Sequence, residues 1–268
     1  MTGNPKRPAD AAYLGIALFG LLLAVALFGP WLAPRDPFAM SDAALRPPDR
    51  AYLFGTDDLG RDVFAGVVRG ASVSLIVGFA AALLSVCIGV AVGGWAGIGE
   101  GAVDLTLMRL TEFAQALPRF FLVVTLVSLF GGRLAFIVAA LGLTAWPSTA
   151  RLFRAQVLSI RHRDFVAAAR AAGADEPAIL RRHVLPMALP VLAAHVSYQA
   201  GGAILAEAGL SFLGLGDPTV MSWGAQLGSA QHFVREAWWM SVFPGLAITV
   251  TVLACNLVAD ASADQIDR

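Results

Sequence analysis

Lysine is almost missing from this chain. Lys6 is the only one, so the pattern GxxxxGK[ST] occurs nowhere and the chain cannot hydrolyse nucleotide with a P-loop of its own. Charge of either sign is scarce: 14% of residues are charged and 57% hydrophobic, against about 25% and about 45–50% in soluble domains. These proportions mark a membrane protein. The 19 basic and 19 acidic side chains cancel, which removes an electrostatic case for nucleic acid as a partner. Cysteine is limited to Cys87 and Cys255. Both sit in apolar runs, where a thiol serves as a small hydrophobe rather than as half of a disulfide or metal site. His162, His183 and His232 are scattered and gather no ligand set. Neither GxSxG nor HExxH occurs, so an intramembrane hydrolase lacks its parts.

What the chain does contain is long uncharged runs. About 20 apolar residues cross a bilayer core. Residues 11–32 meet this length; they exceed a signal-peptide core, and no clear cleavage site follows, so they read as a retained first span. Residues 71–99 give a second span with a helical extension or strong tilt. Residues 120–132 are short alone, but 105–118 read as helical and lead into them. Residues 134–150, 184–206 and 237–259 complete six spans in an all-α membrane fold. The expected division is a tail, first span and outward loop over 1–70, then a five-helix core over 71–268.

Arginine fixes the orientation. The segment 147–183 carries Arg151, Arg154, Arg161, Arg163, Arg170, Arg181 and Arg182 against Asp164, Asp175 and Glu176, which places it in the cytoplasm. Lys6 and Arg7 put the N-terminus on the same side, and an even number of spans brings the C-terminus there too. Segments 33–70 and 217–236 then face outward.

Within the cytoplasmic segment, Asp164 opens a run of strong helix formers, FVAAARAA, with its acid where the helix dipole favours it. Gly173 is the expected left-handed stop. Asp175 is placed to cap a second helix, with Glu176 and Pro177 in its first turn and Arg181 and Arg182 near its end. Two short helices joined at a glycine should result, with the first kept thin by alanines so that another backbone can approach. The residues leave open a solvated connecting hairpin, and a DNA-reading helix-turn-helix is disfavoured because a tethered loop has little freedom to dock a duplex.

Gly89, Gly93, Gly97 and Gly101 recur every four residues and predict a close-packing helix face, with its partner either inside the chain or in another subunit. Pro118, Pro147, Pro186, Pro190 and Pro244 lie at or within span ends, as caps or as kinks in a cavity-lining bundle.

The pattern AAxxxG followed by LP, carried by Ala168, Ala169, Gly173, Leu185 and Pro186, resembles the EAA loop of permease subunits in binding-protein-dependent ABC importers. In that family the loop forms a coupling helix that docks in a groove of the ATPase subunit. The usual glutamate position holds Ala167, so a contact made by that glutamate is in question here, with Asp164 one turn earlier as a partial substitute. FGTDDLGRDVFAGVVRGASVSL over 54–75, and EAGLSFLGLGD over 207–217 followed by Ser222, Trp223, Gly224 and FPGLAITVTVLACNLVAD, resemble the dipeptide, oligopeptide and nickel branch, in its second permease type. The likeness covers nearly the whole chain in family order.

That resemblance implies a type I importer permease fold in the bacterial inner membrane. It also implies an ATPase-coupling surface made by Asp164, Ala167, Ala168, Ala169, Arg170, Gly173, Ala174, Asp175, Glu176, Pro177, Leu185 and Pro186. The implied partners are a homologous second permease subunit, two cytoplasmic ATPase subunits that use ATP and Mg, an extracytoplasmic solute-binding protein, and membrane lipid. No cofactor or metal is expected on this chain. Asp57, Asp58, Arg61, Asp62 and Trp223 lie on the side where the binding protein docks. The three aspartates offer oxygens for a metal, but their spacing is not that of an EF-hand and Arg61 competes for them, so a structured loop is the stronger reading. His195 and Glu207 are candidate pathway-lining groups. For His195 a hydrogen bond to a neighbouring helix is favoured, and Glu207 is expected near water at the outer end. An ion-gradient-driven carrier is the competing function, but it calls for more intramembrane carboxylates or inverted repeats than the spans offer.

Overall fold

The computed structural model describes residues 6–99 and 101–264, with side-chain environments for 13–29, 31–99 and 101–262. Ten helices follow one another: α1 (Lys6–Leu32), α2 (Val63–Ile98), α3 (Ala102–Ala116), α4 (Arg119–Phe130), α5 (Leu134–Ile160), α6 (Asp164–Ala171), α7 (Glu176–Ile179), α8 (Leu185–Phe212), α9 (Trp223–Ala230) and α10 (Trp239–Asp264). A π-turn, Leu180–Val184, joins α7 to α8. The expected cytoplasmic placement of the termini concerns residues 1–5 and 265–268 and the side chains of Lys6 and Arg7, which lie outside the described residues.

Among the described residues four helical stretches are long and apolar enough to cross a membrane: Val63–Ile98, Leu134–Ile160, Glu176–Phe212 and Trp239–Ser262. The expected third span is broken, with α3 and α4 meeting the criterion only as a pair bent by 76°. Proline is the cause, since Pro118 pushes the preceding Leu117 into extended backbone (φ −87°, ψ 136°) and ends α3 there. Helix α1 contributes a shorter apolar stretch, Tyr13–Gly29. Pro147, Pro190 and Pro244, by contrast, lie inside α5, α8 and α10 without ending them.

Helix α2 has 36 residues, a length of about 54 Å at 1.5 Å per residue, and α5 lies along it. The glycine stripe makes this possible. A Cβ on Gly89 would collide with Thr149 Cβ, one on Gly93 with the Ala150 carbonyl oxygen, and one on Gly97 would stand 2.5 Å from Val157 Cβ. The stripe's partner is therefore internal. Gly101 does not belong to it; at φ 61° it caps α3 in the turn between helices. Helix α1 packs on the other side, where Gly15 admits Leu257 of α10 and Gly29 admits Val68 of α2.

The end of the bundle opposite the elbow, expected to face outward, is built by connections that fold back onto the bundle. Asp62 caps α2 by accepting from Phe64 N at 3.0 Å and also takes Arg35 Nη1 at 2.8 Å. Phe54 stacks on Phe243 with ring centroids 3.9 Å apart, and Trp239 Nε1 donates to the Thr56 carbonyl at 3.0 Å. Farther along, Asp217 Oδ2 accepts from Leu134 N at 2.9 Å, tying the loop after α8 to the start of α5.

The Thr219 hydroxyl, followed by the Leu134 and Thr219 backbone N–H groups, holds the Asp217 carboxyl below its ordinary value of 3.8. A depressed pKa contributes stability above the unfolded value and loses it as pH falls through the folded one. Asp217→Asn should therefore melt below wild type at about pH 7, with a smaller gap at about pH 3 as pH falls toward the depressed folded value. A gap of equal size at both pH values in thermal melts of the detergent-solubilised protein would rule out this ionic contribution.

Candidate functional site

Two regions are candidates for function, the elbow formed by α6 and α7 and a polar seam between the long helices. At the elbow, α6 ends in the arrangement its sequence predicts. Gly173 sits at φ 89°, its N–H donates to Arg170 O at 3.0 Å, and Ala174 N–H donates to Ala169 O at 3.1 Å. This is the Schellman pattern, which needs a residue able to adopt a left-handed conformation at that point. Asp175 then caps α7, accepting from Ala178 N at 2.9 Å. Arg170 and Glu176 pair across the glycine at 2.7 Å.

The second short helix does not stop before the membrane. It runs through the π-turn into α8, so that Glu176–Phe212 is one helical stretch of 37 residues. In the π-turn the Leu185 N–H reaches back five residues to Leu180 O. That wider register immediately precedes Pro186, whose missing N–H would leave a gap in an α-helical ladder. The first part of the segment 147–186 is not a loop but an extension of α5, which continues as helix to Ile160. Arg151 and Arg154 belong to that extension, and Arg154 makes a two-pronged ion pair with Asp104 of α3 at 2.6 and 2.5 Å.

One face of the elbow is buried. Val166, Ile179 and Val184 are inaccessible and pack with Val86 of α2, with Phe153 and Val157 of α5, and with Ala188 and Leu192 of α8. Each such burial is worth about 1.5–3 kcal/mol, so the elbow is docked onto the bundle. Its other face presents Asp164, Phe165, Ala167, Ala168, Arg170 and Pro177 to solvent, together with Arg163, Arg181 and Arg182. The exposed surface is thus a thin helix with an apolar centre and a basic rim.

Within the membrane, His195 Nε2 lies 3.1 Å from Thr149 Oγ1, so its ring does bond to a neighbouring helix. Gln199 Nε2 donates to Ser85 Oγ at 2.9 Å and to Thr149 Oγ1 at 3.0 Å, and it lies 3.5 Å from Ser148 Oγ. These residues join α2, α5 and α8 at one level, and the seam continues to the surface through half-buried His195 and exposed Ser148 and Tyr198. Gln199, Thr149 and Ser85 were not singled out from sequence; their separations of 50 and 114 residues hide the contact.

Glu207 departs from expectation. It is 1% exposed, Ser211 Oγ donates to its Oε1 at 2.7 Å, and its Oε2 has no hydrogen-bond partner. The cover comes from α9, which approaches so closely that a Cβ on Gly224 would stand 2.5 Å from Ala208 Cα. Trp223 is likewise enclosed, donating its indole N–H to Val67 O at 2.8 Å. It therefore supports the outer surface from beneath rather than presenting itself to a partner. In the GTDDLGRD loop, Asp57 accepts from Arg61 Nε at 2.7 Å and from the Leu59 and Arg61 backbone N–H groups. Asp58 Oδ1 is buried without a hydrogen-bond partner. The Asp57 and Asp62 carboxylates are taken up by the loop itself. Among the described residues no group of three or more His, Cys, Asp or Glu is placed to hold a metal ion.

The structure is an apolar, multi-pass helical bundle with an elbow docked on it and a polar seam inside it. Residues 85–268 match the family described as binding-protein-dependent transport system inner membrane component, and the chain belongs to that family. It is 38% identical over 256 residues to a putative peptide transport system permease protein of Brucella suis, covering 95% of this chain and 86% of that protein. It is equally 38% identical, over 263 residues, to the di/tripeptide transport system permease protein DppC of Pseudomonas aeruginosa, covering 95% and 87%. The fold resembles that of a chain in inward-facing structures of the MetNI methionine ABC transporter, with a TM-score of 0.61 at 20% identity, covering 75% of this chain and 96% of that one. The chain is therefore the permease component of an ABC importer, and it partners within such a transporter.

Proposed function

We propose that this chain forms half of the translocation pathway of a peptide importer, with a homologous permease as the other half. Two ATPase subunits using ATP and Mg dock on the elbow, and a solute-binding protein delivers cargo to the outer surface near Asp57, Asp58, Arg61 and Asp62. Both termini are cytoplasmic. The cargo class rests on the peptide permease relatives.

One observation carries the coupling role: α7, which follows α6 across the Gly173 turn, runs without a break into a 37-residue helix that also bears His195 and Gln199 of the seam. A displacement imposed at α7 is thus delivered along the same helix to the seam. His195 belongs to the pathway wall as well as to the hydrogen-bond network, whereas Glu207 fastens the outer end. The test is uptake by the reconstituted complex with and without its ATPase subunits. Import by a preparation holding no ATPase would sink the proposal.

Ala167 lies exposed on α6, one turn after Arg163 and one before Arg170. A glutamate there gains two basic neighbours at helical spacing, each pair worth about 0.2–0.5 kcal/mol. Ala167→Glu should leave uptake within about twofold of wild type and stability within about 0.5 kcal/mol. Loss of ATPase co-purification on this change would show that the docking surface here does not accommodate the residue.

A further inference from the structure

We propose that the groove at the bend between α3 and α4 is a carboxylate-binding subsite on the path of the cargo, with Arg119 as its principal donor. The inference rests on the import reading above and adds to it the group by which the cargo is held.

The groove has a volume of about 500 Å³ and is lined by Gln115, Leu117 and Pro118 at the end of α3, Arg119 and Leu122 of α4, and Thr144 and Ser148 of α5, among others. Arg119 is half-buried there. One of its terminal nitrogens donates to the Leu141 carbonyl at 3.2 Å, and its Nε is buried with no hydrogen-bond partner. No carboxylate among the described residues lies within ion-pair distance of it. Arg35, Arg46, Arg61, Arg109, Arg154 and Arg170 by contrast each have an acid within 3 Å; Arg69 shares the unpartnered Nε but reaches the Ala33 carbonyl at 3.5 Å and does not line this groove. A partly desolvated guanidinium in a membrane-spanning bundle is unfavourable without an anion, and its planar fork matches a carboxylate with two parallel hydrogen bonds.

A second feature converges on the same place. Helix α4 has 12 residues and begins at Arg119 without a side-chain cap, so the positive end of its dipole lies at Pro118 and Arg119, which line the groove. The neighbouring hydroxyls do not compete for the role. Thr144 Oγ1 donates to Ala140 O at 2.8 Å and Ser148 Oγ to Ala145 O at 3.0 Å. The guanidinium and the helix N–H groups are all donors, a set that selects an anion over a neutral or cationic group.

The position favours cargo as the source of that anion. Ser148 lines the groove and lies 3.5 Å from Gln199 Nε2 in the polar seam, so groove and seam form one polar strip along α5. A solute moving past His195 and Tyr198 would bring a terminal carboxylate within reach of Arg119.

The test uses the purified complex of both permeases and ATPases without binding protein, so that delivery specificity does not enter. Labelled trialanine and trialanine amide differ at the carboxylate and serve as probes. Wild type should bind the free acid at least tenfold more tightly than the amide. Arg119→Gln should erase the preference and Arg119→Lys should keep part of it. Equal binding of the two probes by wild type, or an undiminished preference in Arg119→Gln, would overturn the subsite. Should Arg119→Gln also shed the second permease while wild type shows no preference, the guanidinium pairs with an acid of that subunit instead. Should the variant fail to assemble for any other reason, the wild-type preference decides alone. ATP-driven uptake of trialanine by wild-type proteoliposomes with binding protein reports separately on the import reading. Uptake without a carboxylate preference defeats the subsite only.

Discussion

Gly93→Leu is expected to leave no stably folded chain, and even Gly93→Ala should lower the thermal midpoint of the purified protein by about 5–10 °C, taking about 2–3 kcal/mol of overpacking and about 2–4 °C per kcal/mol. A methyl group at this position meets the carbonyl oxygen, carbon and Cα of Ala150. These are backbone atoms of a helix packed on both sides, so no rotamer change can relieve the clash. Gly20→Ala is the control, since nothing lies within 4 Å of a Cβ there. The measurement is a thermal melt in detergent followed by size-exclusion chromatography. Equal midpoints for Gly93→Ala and Gly20→Ala would show that α2 and α5 can separate at no cost, and the close-packing argument would fail.

The second large effect is expected at Gly173. Proline fixes φ near about −65° and lacks an N–H, whereas Gly173 sits at φ 89° and donates to Arg170 O. Gly173→Pro therefore removes both the left-handed turn and one of the two hydrogen bonds that close α6. The exposed face of α6 should lose its set direction relative to α7. Because the buried contacts of Ile179 and Val184 are untouched, the chain should still insert and co-purify with its neighbour. Uptake is expected to fall below about a tenth of wild type, while Gly173→Asn, which tolerates the left-handed region, keeps most of it. Both are read in the same proteoliposomes, with ATP hydrolysis measured alongside. Normal uptake by Gly173→Pro would mean that the orientation of α6 is immaterial to coupling.

The elbow was legible in the sequence because its signals are local. Glycine at a helix end, aspartate before a helix, and arginine bias each act within a few residues. The glycine stripe was legible as a face but not as a pairing, since a period of four says nothing about which helix fills the groove. The continuity of α7 with α8 was hidden because Pro186 and Pro190 signal a break, whereas the helix passes through a π-turn just before Pro186 and carries Pro190 in its interior. Arg119 attracted no attention beside Pro118, where a basic residue resembles an ordinary span end. The burial of Glu207 depends on α9 folding back over α8, a tertiary contact that periodicity does not encode.

The cytoplasmic apolar cluster has one mechanical consequence. Val166, Ile179 and Val184 interlock with α2, α5 and α8 at once, and the α2–α5 pair is itself sealed backbone to backbone at Gly93. Torque applied at the elbow therefore has little internal slack to take up. On the import reading proposed above, it would turn these packed helices as one body, and the opening and closing of the path would fall at the boundary with a neighbouring subunit rather than within this chain.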